Sequence, residues 1–263
     1  MKVIWSVQSG DGSANKNSDN QLAQFAQSLE ELGYYGVHLP AGLTEDETIA
    51  IASSIVAVTK KLRFLVDIDP AKISPKMAGR LIAAFDRMSV GRVLVNVVAG
   101  TNPVMIGEES FELDPDALEE YTREYLAVWQ KMMNGEIVDY KGQYIQERGK
   151  LLYAATQEPY PPVVMNSSSS DAELKIAAEY ADIYMIEQTT LALGEAKIQA
   201  LQNLARANGK EAQIAICLDL SPDSQASEVR ETIKEYVTNG IDLFVIAGES
   251  GLEDTARIAE GLF

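Results

Sequence analysis

The chain alternates eight times between a short apolar run and a longer amphipathic window. Short apolar runs are typical of buried strands, and apolar side chains at helical spacing indicate helices. Strand–helix units repeated in this order predict a parallel sheet, and eight units favour closure into one (β/α)8 TIM barrel of the α/β class. The predicted strands are Val3–Val7, Gly36–Leu39, Leu62–Val66, Val93–Val98, Pro162–Met165, Asp182–Ile186, Gln213–Leu218 and Leu243–Ala247. The predicted helices cover residues 19–32, 45–60, 74–88, 116–134, 171–180, 194–208, 224–239 and 251–262.

The length of the chain agrees with this architecture, because 263 residues match the roughly 250 residues of a single barrel. We therefore predict one domain over residues 1–263. Four predicted helix starts carry a capping box, in which Ser or Thr precedes Gln or Glu by three residues. They are Ser18-Gln21, Thr44-Glu47, Ser170-Glu173 and Ser250-Glu253. An open doubly wound sheet is the alternative, but Gly10-Asp11-Gly12 lacks the third glycine of a dinucleotide-binding turn.

Residues 135–161 are the least regular stretch of the chain, and they follow the fourth predicted helix. A connection of this length in a barrel predicts either a small hairpin or a lid over the rim. We favour a hairpin with its turn near Lys141 and Gly142.

Charge and composition limit the possible partners. The chain has 22 Lys and Arg against 39 Asp and Glu, a formal charge of −17, so nucleic acid and anionic membrane surfaces are repelled. The single cysteine, Cys217, excludes an internal disulfide, and the single histidine, His38, excludes a multi-histidine metal site. No apolar run has the length of a secretory or membrane-spanning segment. We expect a cytoplasmic protein.

A serine run lies where barrel enzymes place their chemistry, at the carboxyl end of a strand. Residues 166–170, Asn-Ser-Ser-Ser-Ser, lead directly into the fifth predicted helix. Their amides and hydroxyls, together with the helix dipole, could hold a phosphate. Simple capping of the helix by Ser170 with Glu173 explains the same residues and is favoured on this pattern alone.

Five carboxylates follow predicted strands: Asp67, Asp69, Glu187, Asp219 and Glu249. Such carboxylates could hold a hard cation or transfer protons, but solvated rim charges are the favoured interpretation in so acidic a protein. We predict that His38 is a packed residue rather than a base, and that Cys217 is a buried thiol rather than a nucleophile.

Several passages in collinear order resemble the bacterial-luciferase-like flavin monooxygenases, and in particular their alkanesulfonate monooxygenase branch. The resemblance implies a TIM barrel that holds reduced FMN and uses O2 to oxygenate a small-molecule substrate. A separate flavin reductase supplies the reduced FMN in this family. The matching passages, which are spread over most of the chain, are Gly33–Val37, Ser74-Pro75, Asp86–Arg92, Asn96–Gly100, Glu124–Trp129, Tyr160–Ser170 and Gly240–Val245.

Carried over by position, the resemblance implies a flavin site. Asn96 and the turn at Ala99 and Gly100 would lie beside the isoalloxazine ring, and Ser169 and Ser170 would contact the FMN phosphate. The resemblance therefore favours phosphate binding over simple capping for the serine run. Barrels of this family often pair through helices, so we expect a homodimer.

The positions that carry catalysis in the alkanesulfonate branch are substituted here. Thr44 stands in place of a cysteine and Glu249 in place of a tyrosine, while Asp219 and Cys217 replace a histidine and an arginine. Ser9 replaces another histidine, and Leu118-Glu119 replace an Arg-Tyr pair. The family's long insertion between its seventh and eighth strands is absent, because only residues 220–242 connect them. Thr44, Asp219 and Glu249 are the remaining candidates for catalytic residues.

An acidic rim disfavours a sulfonate substrate, since like charges in a dry pocket repel strongly. We therefore predict an FMN-dependent monooxygenase or oxidoreductase that acts on a neutral or cationic small molecule. The substitutions leave open an alternative, a catalytically degenerate flavin-binding or partner-subunit protein. A third and weaker hypothesis is a divalent-cation site at Asp67, Asp69 and Asp219. Whether a deazaflavin replaces FMN is also open.

Overall fold

The structure, a computed structural model, describes residues 1–7, 18–40, 48–100, 103–106, 109–166, 171–188, 191–211, 213–220, 225–248 and 252–263. Eight of its strands belong to one sheet: β1 (Lys2–Ser6), β2 (Gly36–Leu39), β3 (Arg63–Ile68), β4 (Val93–Val97), β9 (Val163–Asn166), β10 (Ile183–Glu187), β11 (Gln213–Asp219) and β12 (Leu243–Ala247). Eight helices alternate with them: α1 (Ser18–Glu31), α2 (Thr48–Val56), α3 (Pro75–Ser89), α4 (Pro115–Met133), α5 (Asp171–Tyr180), α6 (Leu191–Ala207), α7 (Ala226–Thr238) and α8 (Leu252–Ala259).

The eight strands close into a parallel barrel in the order β1-β12-β11-β10-β9-β4-β3-β2. This confirms the predicted α/β TIM barrel. Each predicted strand is present, with its ends within two residues of the prediction. The ends of a strand are determined by its hydrogen bonds to the neighbouring strand. The apolar pattern of a single strand therefore predicts these ends only approximately.

The second helix is shorter than the predicted window of 45–60, because α2 ends at Val56. The Glu30 carboxylate, from α1, accepts hydrogen bonds from the amides of Lys60 (2.9 Å) and Leu62 (2.7 Å). Amides that bond to this side chain are not available to continue the helix, so the chain turns and enters β3. The last helix, α8, likewise ends at Ala259, before the predicted 262.

A hairpin forms where the irregular segment 135–161 predicted one. Strands β7 (Val138–Lys141) and β8 (Gln146–Gly149) pair antiparallel. The buried Glu124 carboxylate of α4 accepts hydrogen bonds from the amides of Gln143 (2.6 Å), Tyr144 (2.9 Å) and Ile145 (2.8 Å), which holds the turn.

A second hairpin was not predicted. Strands β5 (Val104–Ile106) and β6 (Glu109–Phe111) pair antiparallel between β4 and α4. Each strand has only three residues, which is too short for an alternating pattern to be recognised in the sequence.

Two helix starts are capped by side chains that precede a proline. Ser74 Oγ accepts a hydrogen bond from the Met77 amide at 3.3 Å, and Asp114 Oδ1 accepts one from the Ala117 amide at 2.9 Å. Pro75 and Pro115 then open α3 and α4, where the missing N–H of proline is not needed. The four predicted capping boxes involve side chains outside the described part of the structure, so they stay predictions.

Backbone contacts divide the chain into two compact units. The first comprises Met1–Val66, Met185–Lys197 and Gln213–Phe263, and the second comprises Asp67–Tyr184 and Ile198–Ala212. The single domain over residues 1–263 stays a prediction. Among the helices that the structure describes, none combines the length and apolar composition required to cross a bilayer.

Candidate functional site

A polar pair, formed by the half-buried Asp67 and the buried Asn96, lies near the carboxyl ends of β3 and β4 in the second unit. Asn96 is only 6% exposed, and its Nδ2 donates a hydrogen bond of 2.6 Å to Asp67 Oδ1. An ionised carboxylate only accepts hydrogen bonds, so the amide nitrogen of Asn96 must face Asp67. The pair therefore sets the orientation of the Asn96 side chain.

This orientation leaves the other end of the Asn96 amide unused. Asn96 Oδ1 is buried and has no hydrogen-bond partner within the described part of the chain. A buried carbonyl oxygen without a partner destabilises the folded state by about 1–3 kcal/mol. An N–H or O–H group of a bound ligand would satisfy this oxygen, as it would satisfy other buried polar atoms that lack a partner among the described residues, such as Tyr184 Oη.

The chain that follows β3 is held firmly. Asp69 Oδ1 accepts a hydrogen bond from the Ala71 amide at 2.9 Å, and Asp69 Oδ2 lies 3.1 Å from Lys72 Nζ. Tyr121 of α4 donates its hydroxyl to Pro70 O at 2.7 Å. Burial, and then the charge of Asp69, raise the pKa of Tyr121 to about 12, so the hydroxyl stays a donor at neutral pH.

The chain that leaves β4 passes through the small residues Ala99 and Gly100. The Val98 amide donates to Ile68 O at 2.9 Å, which ties this turn to the end of β3. Ala99 is partly exposed, and Gly100 is exposed with φ of 87°. Glycine adopts this left-handed conformation without strain, which allows the chain to turn at this position.

In the first unit, Ser6 and His38 form a second buried pair. Ser6 Oγ lies 2.8 Å from His38 Nδ1, and both residues are buried. The bond joins neighbouring positions on β1 and β2. His38 is thus a packed, hydrogen-bonded residue, as predicted.

The acidic ends of β10 and β11 surround the only thiol. Burial, followed by the charges of Asp219 and Glu187, raises the pKa of Cys217 to about 12. Cys217 therefore stays protonated at neutral pH, which supports the prediction that it is not a nucleophile. Its thiol is only half-buried, however, whereas full burial was predicted. Asp219 and Glu187 are both exposed.

Several predicted site residues lie outside the described residues: Thr44, Glu249, Ser169 and Ser170. Asn166 is exposed at the end of β9, and α5 begins at Asp171, so the chain does pass from strand to helix over the serine run. Phosphate binding there stays a prediction. Among the described residues, no group of three His, Cys, Asp or Glu side chains is arranged to hold a metal, so nothing in that part of the chain supports the divalent-cation hypothesis at Asp67, Asp69 and Asp219.

Two contributors to these sites were missed by the sequence reasoning, Ser6 and Tyr121. Ser6 is the last residue of β1, two positions after Ile4, so strand alternation could have placed it on the same face of the strand. Its pairing with His38 depends on the register of β1 against β2, for which the sequence carries no signal.

Solved structures share this fold at low sequence identity. An F420-dependent secondary alcohol dehydrogenase in complex with an F420–acetone adduct is 16% identical with a TM-score of 0.82, over 100% of this chain and 98% of the other. A monooxygenase from Streptomyces bottropensis is 17% identical with a TM-score of 0.79, over 99% and 97%. The oxygenating constituent of 3,6-diketocamphane monooxygenase from Pseudomonas putida, in complex with FMN, is 14% identical with a TM-score of 0.70, over 100% and 84%.

The sequence pattern of one protein family, described as luciferase-like monooxygenase, matches residues 1–261. The match spans every strand of the barrel, from β1 to β12. The chain therefore belongs to the luciferase-like monooxygenase family.

Proposed function

We propose that the protein binds reduced FMN and acts as a monooxygenase or oxidoreductase on a neutral or cationic small molecule. The observation that carries this proposal is the buried Asn96 Oδ1 at the carboxyl end of β4, which has no hydrogen-bond partner among the residues that the structure describes. Family membership supplies the class of cofactor, and the barrel supplies the position, because barrel enzymes act at the carboxyl ends of their strands.

The described residues fit a flavin. The isoalloxazine ring carries an imide N–H, which is the donor that Asn96 Oδ1 lacks. Asp67 accepts one hydrogen bond from the Asn96 NH2 group and so turns the Asn96 oxygen away from itself, towards the proposed ligand. We propose that Ala99 and Gly100 lie beside the isoalloxazine ring and that Ser169 and Ser170 bind the phosphate. When bound, the flavin supplies the redox chemistry with O2; the chain binds and orients it.

The charge around Cys217 supports the choice of substrate class. Asp219 and Glu187 are exposed carboxylates that raise the pKa of the neighbouring Cys217 thiol, so the described ends of β10 and β11 favour a neutral or cationic substrate over an anionic one. We propose Asp219, Glu249 and Thr44 as the catalytic candidates, and a separate cytoplasmic flavin reductase as the source of reduced FMN.

A second candidate function is a flavin-binding or partner-subunit protein without turnover. The protonated Cys217 beside Asp219 favours it, since the alkanesulfonate branch has cationic side chains at those positions.

The choice between FMN and F420 as the cofactor is also open to test. Flavins and the deazaflavin F420 share the imide N–H, so Asn96 would accept a hydrogen bond from either.

Binding is tested by titrating the purified protein with FMN and, separately, with F420, while the cofactor fluorescence is measured. Replacing Asn96 with alanine removes one hydrogen bond of about 0.5–1.5 kcal/mol, so Asn96→Ala should weaken binding about 2- to 13-fold. Asn203→Ala, on the exposed face of α6, is the matched control and should bind like the unaltered protein. If the unaltered protein binds neither cofactor, the flavin proposal is wrong.

Turnover is tested by loading the protein with reduced FMN under anaerobic conditions and mixing it with O2 and a panel of neutral, cationic and anionic substrates. We expect oxygenated product from neutral or cationic compounds only. Tight flavin binding without any product would support the non-catalytic candidate instead.

A further inference from the structure

Three aromatic side chains follow one another along α4. Tyr121, Tyr125 and Trp129 are spaced by four residues, which places them on one face of the helix. All three are buried, with exposures of 3%, 1% and 1%. The Tyr121 and Tyr125 rings have their centroids 6.4 Å apart. From Tyr121 to Trp129 the helix rises by about 12 Å, at 1.5 Å per residue.

The two ends of this series lead to different parts of the second unit. At one end, the Tyr121 hydroxyl donates a hydrogen bond of 2.7 Å to Pro70 O, in the segment that follows the carboxyl end of β3. At the other end, the Trp129 ring meets the Tyr160 ring edge to face, with centroids 5.8 Å apart. Tyr160 is half-buried and so reaches the surface. The four side chains are called the aromatic row below: Tyr121, Tyr125, Trp129 and Tyr160.

Packing alone does not explain the polar atoms of the aromatic row. Tyr125 Oη and Trp129 Nε1 are buried and have no hydrogen-bond partner among the residues that the structure describes. A buried donor without a partner destabilises the folded state, and phenylalanine or leucine would fill similar space without one. Such groups in a native protein call for a further reason, and a redox role is one of those known. Phenol and indole are the aromatic side chains that lose one electron most readily.

The Tyr160 end of the row has an acceptor for the proton that a tyrosine loses on oxidation. Burial, followed by the charge of Asp182, raises the pKa of Tyr160 to about 12. Burial also raises the pKa of Asp182, which makes its carboxylate a stronger base than that of an exposed aspartate. As an electron leaves Tyr160, its phenolic proton therefore has a base to receive it, directly or through one water.

We propose that the aromatic row carries single oxidising equivalents from the carboxyl end of β3 to the protein surface at Tyr160. A one-electron oxidant beside Tyr121 takes an electron from Trp129 through the rings of Tyr121 and Tyr125, and Trp129 then takes an electron from Tyr160. In balance, one electron moves from Tyr160 to the oxidant, one proton moves from its hydroxyl to the Asp182 carboxylate, and a tyrosyl radical remains.

The row thereby protects the site from one-electron oxidation. The oxidant belongs to the reactive oxygen species that a reduced flavin forms with O2. This identity of the oxidant rests on the proposed function, whereas electron transfer along the row does not.

The first test creates the radical on Trp129 itself and needs no cofactor. The chain has two tryptophans, so Trp5→Phe leaves Trp129 as the only indole. An intense flash at the long-wavelength edge of indole absorption ionises this side chain, and dissolved O2 takes up the ejected electron. We expect the absorbance of the indolyl radical to decay in a first-order process while that of a tyrosyl radical rises at the same rate. A Trp129 radical that decays without forming a tyrosyl radical would overturn the proposal.

Variants of the tyrosines identify the electron donor. In the Trp5→Phe protein, Tyr160→Phe should abolish the tyrosyl signal. Asp182→Asn should slow its appearance, because an amide does not take up the proton. Tyr144→Phe is the matched control, since Tyr144 is also half-buried and its ring lies 6.3 Å from that of Tyr121; it should leave the signal unchanged. Loss of the signal in Tyr144→Phe, or its persistence in Tyr160→Phe, would contradict the assigned path.

Far-UV circular dichroism establishes that each variant is folded. If Trp5→Phe does not fold, the flash is applied to the unaltered protein, and subtraction of the signal from Trp129→Phe isolates the contribution of Trp129.

The second test starts at the Tyr121 end of the row. Oxidised FMN bound to the protein is excited by blue light, and in that state it is a one-electron oxidant. Trp129→Phe should lower the yield of tyrosyl radical, whereas Trp5→Phe, which removes an equally buried tryptophan from the first unit, should not. Equal yields in both variants would show that the row does not begin at the cofactor site. If FMN does not bind, the proposed function is wrong and the assigned oxidant with it, while the first test still decides transfer from Tyr160 to Trp129.

Discussion

The carboxylate of Asp86 joins α3 to the segment that leads into β9, and its neutralisation is the sharpest test of how the second unit is held together. Asp86 is fully buried. Its Oδ2 accepts hydrogen bonds from the amides of Thr156 (2.7 Å) and Gln157 (2.9 Å), and its Oδ1 accepts one from Gln157 Nε2 at 2.8 Å. All the bonds require an acceptor, so Asp86→Asn keeps the shape of the side chain but cannot satisfy every donor.

The expected loss follows from these three bonds. A hydrogen bond to a charged group contributes about 1.5–3 kcal/mol and a neutral one about 0.5–1.5 kcal/mol, so three bonds lose about 3 kcal/mol together. The asparagine NH2 also faces at least one N–H donor, but the variant no longer buries a charge, and these two effects partly offset each other. We expect Asp86→Asn to lower the free energy of unfolding by about 3 kcal/mol. For a chain of this size the melting temperature should fall by about 6–12 °C.

Urea denaturation, monitored by circular dichroism, measures the change in the free energy of unfolding. If the free energy depends on urea concentration with the same slope in both proteins, the denatured state is the same. Asp139→Asn is the control, because the Asp139 side chain is 63% exposed and lies 3.8 Å from Arg148 Nε. An exposed pair of this kind contributes at most about 1 kcal/mol. A loss below about 1 kcal/mol for Asp86→Asn would refute the reasoning, since hydrogen bonds of that strength could not then be made by the Asp86 carboxylate.

Two further predictions concern titration. Because burial and the neighbouring carboxylates raise the pKa of Cys217 to about 12, iodoacetamide should modify the folded protein at pH 8 much more slowly than the urea-unfolded chain; equal rates would contradict the raised pKa. Burial also raises the pKa of Tyr121, Tyr160 and Tyr184 to about 12 from 10.0, so the folded state holds these protons more tightly than the unfolded state does. The stability they contribute is fully present below about pH 10 and is lost as pH rises towards 12. The circular dichroism signal of the folded protein should therefore disappear over the same pH range in which the last tyrosines ionise, as followed by phenolate absorbance. Ionisation of all 11 tyrosines before any unfolding would count against this.

The order of the elements could be predicted from the chain alone because the relevant physics is local. Alternation between strand and helix periodicity depends on side chains a few positions apart, and it identified the eight barrel strands within two residues of their ends. The same pattern placed Asp67, Asn96 and Asp219 at strand ends. The β5–β6 hairpin was not predicted because strands of three residues are too short to show an alternating pattern. The predicted α2 was too long because the amide of Lys60, within the predicted window, binds the carboxylate of Glu30 from another helix.

Sequence by itself determined the barrel, the strongly acidic charge and the polar residues that end its strands. Tertiary structure alone decided which of those residues act together. Asp67 and Asn96 are 29 positions apart, and Asp86 and Gln157 are 71 apart, so nothing local joins them. Their hydrogen bonds exist because the fold brings distant segments into contact, and the same contacts leave buried atoms such as Asn96 Oδ1 without a hydrogen-bond partner among the described residues.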